Sequence, residues 1–332
     1  MILRPNVKLN LGLRVLGRRA DGYHDLETLF VPCDAFGDIL EIEPLAPDTT
    51  DARRRRGTLG EEPLIMRPKG RQPEDPAEWL EISGPEYRGW APEDDLVAKA
   101  WRLLCDEFGI PAVKVRLEKN SPVGAGLGGG SADGAFMLKA LNEMFALGLS
   151  EDALAARAAR LGSDCAFFIY NRPMFATGRG EILEAFDIDL SGYRFEIAIP
   201  EGIAVSTREA YMGLDASVRS DRPGRSAQPD SSDLSHLPDR SYRPETTDGG
   251  NDSGQFCSYR PESRDGGSAT PLREALKLPV EQWKDAVVND FERSVFPLYP
   301  KIAELKEEMY AKGAVYAAMT GSGSAVFGIF AE

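Results

Sequence analysis

Residues 121–136 read SPVGAGLGGGSADGAF, with six glycines, and the chain that follows is helix-friendly. A glycine inside a regular element costs about 0.5–1 kcal/mol relative to alanine. A cluster of them therefore persists where backbone must take left-handed φ or come close to a partner. Three readings compete. The segment GAGLGG at 124–129 matches GxGxxG, but a dinucleotide fold wants that motif directly after the first strand of a βαβ unit. Here Lys119, Asn120, Ser121 and Pro122 intervene, and no second strand follows until after two helices. A Walker A loop is excluded, because no Gly-Lys-Ser/Thr follows. The third reading is a glycine loop opening onto a helix N-terminus, where unpaired N–H groups and the helix dipole favour an anion. Ser131 offers a hydroxyl there to a phosphate or to a cation on it. Asp133 has two open roles, ligand or plain first-turn acid.

A nucleotide phosphate site needs an acceptor. In RPNVKLNLGL, alternation predicts a half-buried strand with Asn6, Lys8 and Asn10 on one face. That row is either mere solvent exposure or part of a site. In RLGSDCAFFI, Asp164 follows a predicted helix end and precedes an apolar run. It is either a cap or, beside a lysine, a base for a substrate hydroxyl. Local sequence leaves both pairs open.

At 332 residues the chain is long enough for two domains. Its net charge of −14 argues against nucleic acid and anionic membrane as generic partners, while a local basic pocket for a phosphorylated small molecule remains compatible. The four cysteines, Cys33, Cys105, Cys165 and Cys257, form no CxxC pair, so buried free thiols of a cytoplasmic protein are expected. No apolar run approaches a membrane span. Strands are predicted at DILEIEP, AVKVRLEK, YRFEIAIP and SAVFGIF. Helices are predicted at DDLVAKAWRLLCDEFGI, at ADGAFMLKALNEMFALG, ending at Gly148, and at SEDALAARAARLG, with a Ser N-cap. Residues 47–76, with ARRRRG, read as a polar loop. From about 215 to 270 Ser, Asp, Arg, Pro and Gly dominate, and SYRPETTDGG recurs as SYRPESRDGG. Such sequence buries no core and is expected to be a disordered insertion; His236 within it is discounted as a catalyst.

Taken together, these stretches resemble the GHMP kinase superfamily, named for galactokinase and homoserine, mevalonate and phosphomevalonate kinases. The stretches RPNVKLNLGLRVLGRRADGYHDLETLF, PVGAGLGGGSADGAF, LGSDCAFFI, FATGRGEIL, VSTREAY and MTGSGSAVFGIF carry the resemblance, which covers nearly the whole chain outside the two polar insertions. It implies an α+β fold of two domains with the active site in the cleft between them, an N-terminal domain over 1–170 and a C-terminal one over 171–332. The Gly22-Tyr23-His24 stretch points to a member that uses ATP, with Mg²⁺, to phosphorylate a cytidine-diphosphate-linked polyol. Its target would be the 2-hydroxyl of a methylerythritol unit, on the non-mevalonate route to isoprenoids. The resemblance makes Asp164 the general base and Lys8 its cationic neighbour. Pro122, Val123, Gly124, Ala125, Gly126, Leu127, Gly128, Gly129, Gly130, Ser131 and Ala132 would wrap the ATP phosphates, and Lys119 would lie near the adenosine. Asn10 would sit beside the acceptor, with Tyr23 stacking on the cytosine and His24 making a polar contact. Gly321–Ser324 would form a second glycine turn.

Two positions depart from the family's pattern. Ala132 stands where a second Ser is usual, which leaves the Mg²⁺ ligands open. Asp95 stands where Asn is common. A different alcohol acceptor, or a non-catalytic nucleotide sensor on the same scaffold, are the alternatives; the second would lack the Lys8–Asp164 pair. Oligomeric state has no signature in the sequence.

Overall fold

The computed structural model describes residues 1–45, 78–220 and 270–332. The loop expected at 47–76 and the duplicated repeat lie outside these, as do Cys257 and His236. Helix α5 runs Thr207–Ser220, so the chain is still helical where the insertion was expected to begin.

Strand β1 is Ile2–Leu3 and β2 is the long strand Val7–Arg18. β2 pairs antiparallel with β3 (His24–Cys33) through the turn at Asp21-Gly22, where Gly22 has φ 85°. The alternation of β2 predicts one solvated face. Instead Lys8, Asn10 and Arg14 are all buried, because the C-terminal part of the chain covers that face. The backbone N–H of Asn10 donates to Thr320 Oγ1, and Arg14 donates to the carbonyls of Thr270 and Ala286. A register shift between Leu11 and Leu13 falls at Gly12, φ 69°, as at a β-bulge.

β4 (Ile39–Pro44) lies between β1 and β6 (Val113–Glu118), and β5 (Leu80–Ser83) completes that four-stranded sheet. Helix α1 (Leu96–Phe108) is capped by Asp95, which accepts from the Val97 N–H, and ends at Gly109 with φ 64°. Helix α2 runs Gly129–Met144, starting inside the glycine run and stopping before the expected Gly148. Ala146, at φ 48°, breaks the helical path there. Helix α3 (Glu151–Leu161) begins at the expected Ser150 cap. The apolar run CAFFIY forms the short helix α4 (Cys165–Tyr170). These helices share one core with β4 and β6, built around Leu40, Ile42, Trp101, Leu138 and Phe167.

β7 (Met174–Thr177) pairs with β3, and β8 (Ile182–Ala185) with β7, giving the sheet order β2-β3-β7-β8. The division expected at residue 170 therefore falls ahead of two strands that still belong to the N-terminal sheet. Downstream, β9 (Tyr193–Ala198), β10 (Tyr316–Met319) and β11 (Val326–Ala331) form a third sheet, order β10-β11-β9. It packs with α5, α6 (Leu272–Ala275), α7 (Glu292–Val295) and α8 (Pro300–Ala311) in two further cores. No helix among the described residues is long and apolar enough to cross a membrane.

Candidate active site

The glycine stretch is a built loop and not a floppy turn. Gly124, Gly126 and Gly128 all have φ between 74° and 79°, a conformation costly to residues with a Cβ. Gly126 is wedged against the second glycine turn, where an added Cβ would lie 2.5 Å from the Thr320 carbonyl oxygen. The loop is tied down through its carbonyls. Leu127 O accepts from the Lys8 N–H at 2.9 Å, and Ala125 O accepts from the Ala325 N–H at 3.2 Å. The Ala132 N–H donates to Gly128 O at 3.0 Å as the ladder of α2 begins. The N–H groups of Gly129, Gly130 and Ser131 come before it and have no partner within the helix. Ala125, Leu127 and Ala132 turn buried side chains into the protein, so the loop offers a ligand its backbone.

Two hollows open on the loop. One, of about 410 Å³, is lined by residues 121–131 together with Trp90, Asp95, Lys119 and Asp133. The other, of about 630 Å³, is lined by Lys8, Asn10, Tyr23, His24, Asp164 and Tyr211 among others. Gly126 and Gly128 belong to both walls.

In the larger hollow Lys8 Nζ lies 3.4 Å from Asp164 Oδ2 and donates to Asn10 Oδ1 at 2.6 Å. It also lies 4.9 Å from the centre of the Phe30 ring. Asp164 occupies the N-cap position of α4 yet makes no capping hydrogen bond, so its carboxylate is not used up by the helix. Its side chain is 32% exposed whereas that of Lys8 is 5% exposed. A buried ammonium thus backs a carboxylate that a ligand can reach. Asn10 is fixed from two sides, donating to Thr28 Oγ1 at 3.0 Å and accepting from Thr320 Oγ1 at 3.2 Å. Asn6, the third member of the polar row, instead donates to Asp34. The thiol beside the carboxylate, Cys165, is pushed up to about 12 by burial, which rules it out as a thiolate at neutral pH. Cys33 and Cys165 are free and buried, and the buried Cys105 thiol donates to the Ile110 carbonyl.

Tyr23 and His24 also line this hollow. Tyr23 is largely exposed, and the Arg179 guanidinium lies 4.9 Å from its ring centre. His24 is stacked face to face on Tyr211, with centroids 4.5 Å apart and planes 12° apart. Tyr211 in turn meets Phe291 edge-on at 4.7 Å. Sequence reasoning missed Tyr211, although Thr207, Arg208, Tyr211 and Met212 recur at helical spacing and all line the hollow. Arg18, Arg179 and Arg208 line it too, a local cationic wall in an acidic chain.

Lys119 lines the smaller hollow, but its ammonium is enclosed by carboxylates. It pairs with both Asp38 and Asp133 and is 2% exposed. Asp133 is the fifth residue of α2, past the first turn where an acid was one of its two expected roles, and its carboxyl pairs with Lys119. Asp95 accepts from Trp90 Nε1 while capping α1. Among the described residues no group of three or more His, Cys, Asp or Glu side chains is placed to hold a metal ion.

Comparison with known proteins agrees with this geometry. The family model for the GHMP kinases N-terminal domain matches residues 95–172, and that for the GHMP kinases C-terminal domain matches 272–332. A 4-diphosphocytidyl-2-C-methyl-D-erythritol kinase of Bacteroides fragilis strain YCH46 is 42% identical over 99% of this chain and 92% of its own. One from Oleidesulfovibrio alaskensis is 34% identical over 99% and 90%. A crystal structure of 4-(cytidine 5'-diphospho)-2C-methyl-D-erythritol kinase superposes with a TM-score of 0.63 at 27% identity, covering 99% of this chain and 89% of that one. Mevalonate kinase of L. major shares the fold, with a TM-score of 0.58 at 14% identity. With its phosphate-type loop, its Lys8–Asp164 pair and relatives of this identity along its whole length, the chain belongs to the 4-diphosphocytidyl-2-C-methyl-D-erythritol kinase family of the GHMP kinases.

Proposed function

We propose that the protein transfers the γ-phosphoryl group of ATP to the 2-hydroxyl of 4-diphosphocytidyl-2-C-methyl-D-erythritol. The observation that carries this is the junction of the two hollows at Gly126 and Gly128. The N–H groups at the start of α2, without partners within the helix, open on one side, and the Lys8–Asp164 pair stands on the other. ATP laid along residues 122–132 would present its terminal phosphate at that junction. Asp164 accepts the proton of the acceptor hydroxyl as its oxygen bonds to the γ-phosphorus. The bond from that phosphorus to the bridging oxygen breaks, and ADP leaves. Lys8 balances the charge on Asp164 and on the phosphoryl oxygens in flight. Asn10, held by Thr28 and Thr320, would orient the acceptor.

Mg²⁺ is part of this reading. It favours a few protein oxygens plus nucleotide phosphates over an all-protein cage, and the donor set fits. Ser131 supplies a hydroxyl in the first turn of α2, and among the described residues no group of three or more His, Cys, Asp or Glu side chains forms an all-protein cage. When bound, the ion would neutralise phosphate charge.

In the larger hollow the Tyr23, His24 and Tyr211 rings offer faces for a pyrimidine, and the three arginines suit a diphosphate. This favours a nucleotide-linked acceptor over a small alcohol. The deciding test is ADP release across a panel of alcohols. The cytidine-diphosphate-linked methylerythritol is expected to be turned over, with homoserine and mevalonate inert. Faster turnover of a small alcohol would overturn the reading.

A further inference from the structure

Beneath the phosphate loop lies a charged cluster to which the reaction assigns no step. Asp38, Lys119, Ser121 and Asp133 are each no more than 2% exposed. They come from three elements: Asp38 precedes β4, Lys119 follows β6, and Asp133 lies in the first turns of α2. Asp38 Oδ1 accepts from the N–H groups of Asn120 and Ser121, both at 2.6 Å. Its Oδ2 accepts from Ser121 Oγ at 2.7 Å and from Lys119 Nζ. Lys119 Nζ donates further to Ser121 Oγ at 3.3 Å and to Asp133 Oδ2 at 2.5 Å. Three partners use all three ammonium protons, which leaves none for a phosphate.

The cluster touches the loop where height matters. A Cβ at Gly129, the first residue of α2, would lie 2.2 Å from Ser121 Oγ. The helix start therefore rests directly on the hydroxyl that Asp38 holds. We propose that Asp38, Lys119 and Ser121 are positioning residues that set the height of the phosphate loop, so that Lys119 serves the nucleotide through this anchor and not as a free cation. This rests on the reading of residues 122–132 as the ATP phosphate loop.

The charges balance within the cluster. Burial works against the charge on Asp38, but the Lys119 ammonium and the hydrogen bonds from Lys119 and Ser121 outweigh it and hold the carboxyl below its usual range. Burial drives Asp133 the other way, well above the usual range, against the pull of Lys119 and helped by repulsion from Asp38. Asp38 and Lys119 thus form the favoured ion pair, and burial works against a charge on Asp133. Its Oδ1 is buried without a hydrogen-bond partner, a setting that disfavours a charged carboxylate.

The test is calorimetric titration of a non-hydrolysable ATP analogue, with steady-state kinetics and thermal melting alongside. Asp38→Asn keeps the shape and removes the anion. It is expected to weaken analogue binding about tenfold or more, while turnover at saturating ATP and the acceptor KM stay within about twofold. Ser121→Ala should weaken binding about threefold, and Asp133→Asn by no more than that. Normal affinity in folded Asp38→Asn overturns the proposal. So does an equal loss of nucleotide affinity, acceptor affinity and turnover, which marks a merely structural role. Asp133→Asn as damaging as Asp38→Asn overturns the charge assignment. If Asp38→Asn does not fold, Ser121→Ala decides, and wild-type affinity there sinks the idea. Failure of the wild type to bind the analogue would instead remove the loop reading itself.

Discussion

Asp164 and Lys8 show how burial divides labour within one ion pair. The ammonium is enclosed and held by Asn10, so it cannot swing away, while the carboxylate keeps a face to the hollow. Asp164→Asn preserves shape but cannot take a proton. Turnover is expected to fall by about 10²–10⁴ with nucleotide affinity unchanged, read by ADP release and by titration of the ATP analogue. Near-normal turnover would remove Asp164 as the base. Tyr211 tests the aromatic part of the hollow. Base stacking on an aromatic ring is worth about 1–3 kcal/mol. Tyr211→Ala and Tyr23→Ala should each raise the acceptor KM about fivefold or more and leave the ATP KM within about twofold. An ATP defect with normal acceptor affinity would reject the placement of the cytosine there.

The element that matters most is the loop running into α2. Its glycines are required for different reasons. Gly126 gives room to the Thr320 carbonyl, Gly129 to Ser121, and Gly134 to Leu96 of α1. At Gly128 both conformation and space are constrained. Its φ is 74°, and an added Cβ would lie 3.1 Å from Lys8 Cγ and 3.2 Å from the Phe168 ring. Gly128→Val is therefore expected to abolish detectable binding of the ATP analogue while far-UV circular dichroism stays native-like. Normal binding by the folded variant would return the stretch to an ordinary turn. The element also lines both hollows. A Cβ at Gly128 would meet the side chain of Lys8, and the Lys8 N–H donates to the carbonyl just before it.

At the scale of the whole molecule, the two ends of the chain build one site. β2 would be an ordinary amphipathic strand without the C-terminal glycine turn on its polar face. Asn289 holds that turn. Its Nδ2 donates to the carbonyls of Met319 and Gly321 at 2.7 and 2.8 Å, and its Oδ1 accepts from the Phe291 N–H at 3.0 Å. It is also bridged to Leu13 of β2. Asn289→Ala strands two buried carbonyls, and a loss of about 2–3 kcal/mol in stability is expected, measured by urea unfolding. A loss under about 0.5 kcal/mol would mean the turn is held some other way.

Local patterns determined much of this protein. The caps of α1 and α3, the alternation of β4, β6 and β9, and the glycine loop ahead of a helix are all short-range signals, set by backbone sterics and nearby hydrogen bonds. The kinase motifs, with Lys8 and Asp164, were legible for a different reason: they are strings of adjacent residues. What required the tertiary structure was every question of which face is covered and what lies opposite. Alternation in β2 marks two faces but cannot say that Thr320 will seal the polar one. A lysine before a glycine loop has the same sequence whether its charge is free or spent on Asp38, which lies 81 positions away. Tyr211 pairs with His24 across an even longer separation. Burial and electrostatic pairing depend on contacts between distant segments, and no local window contains them.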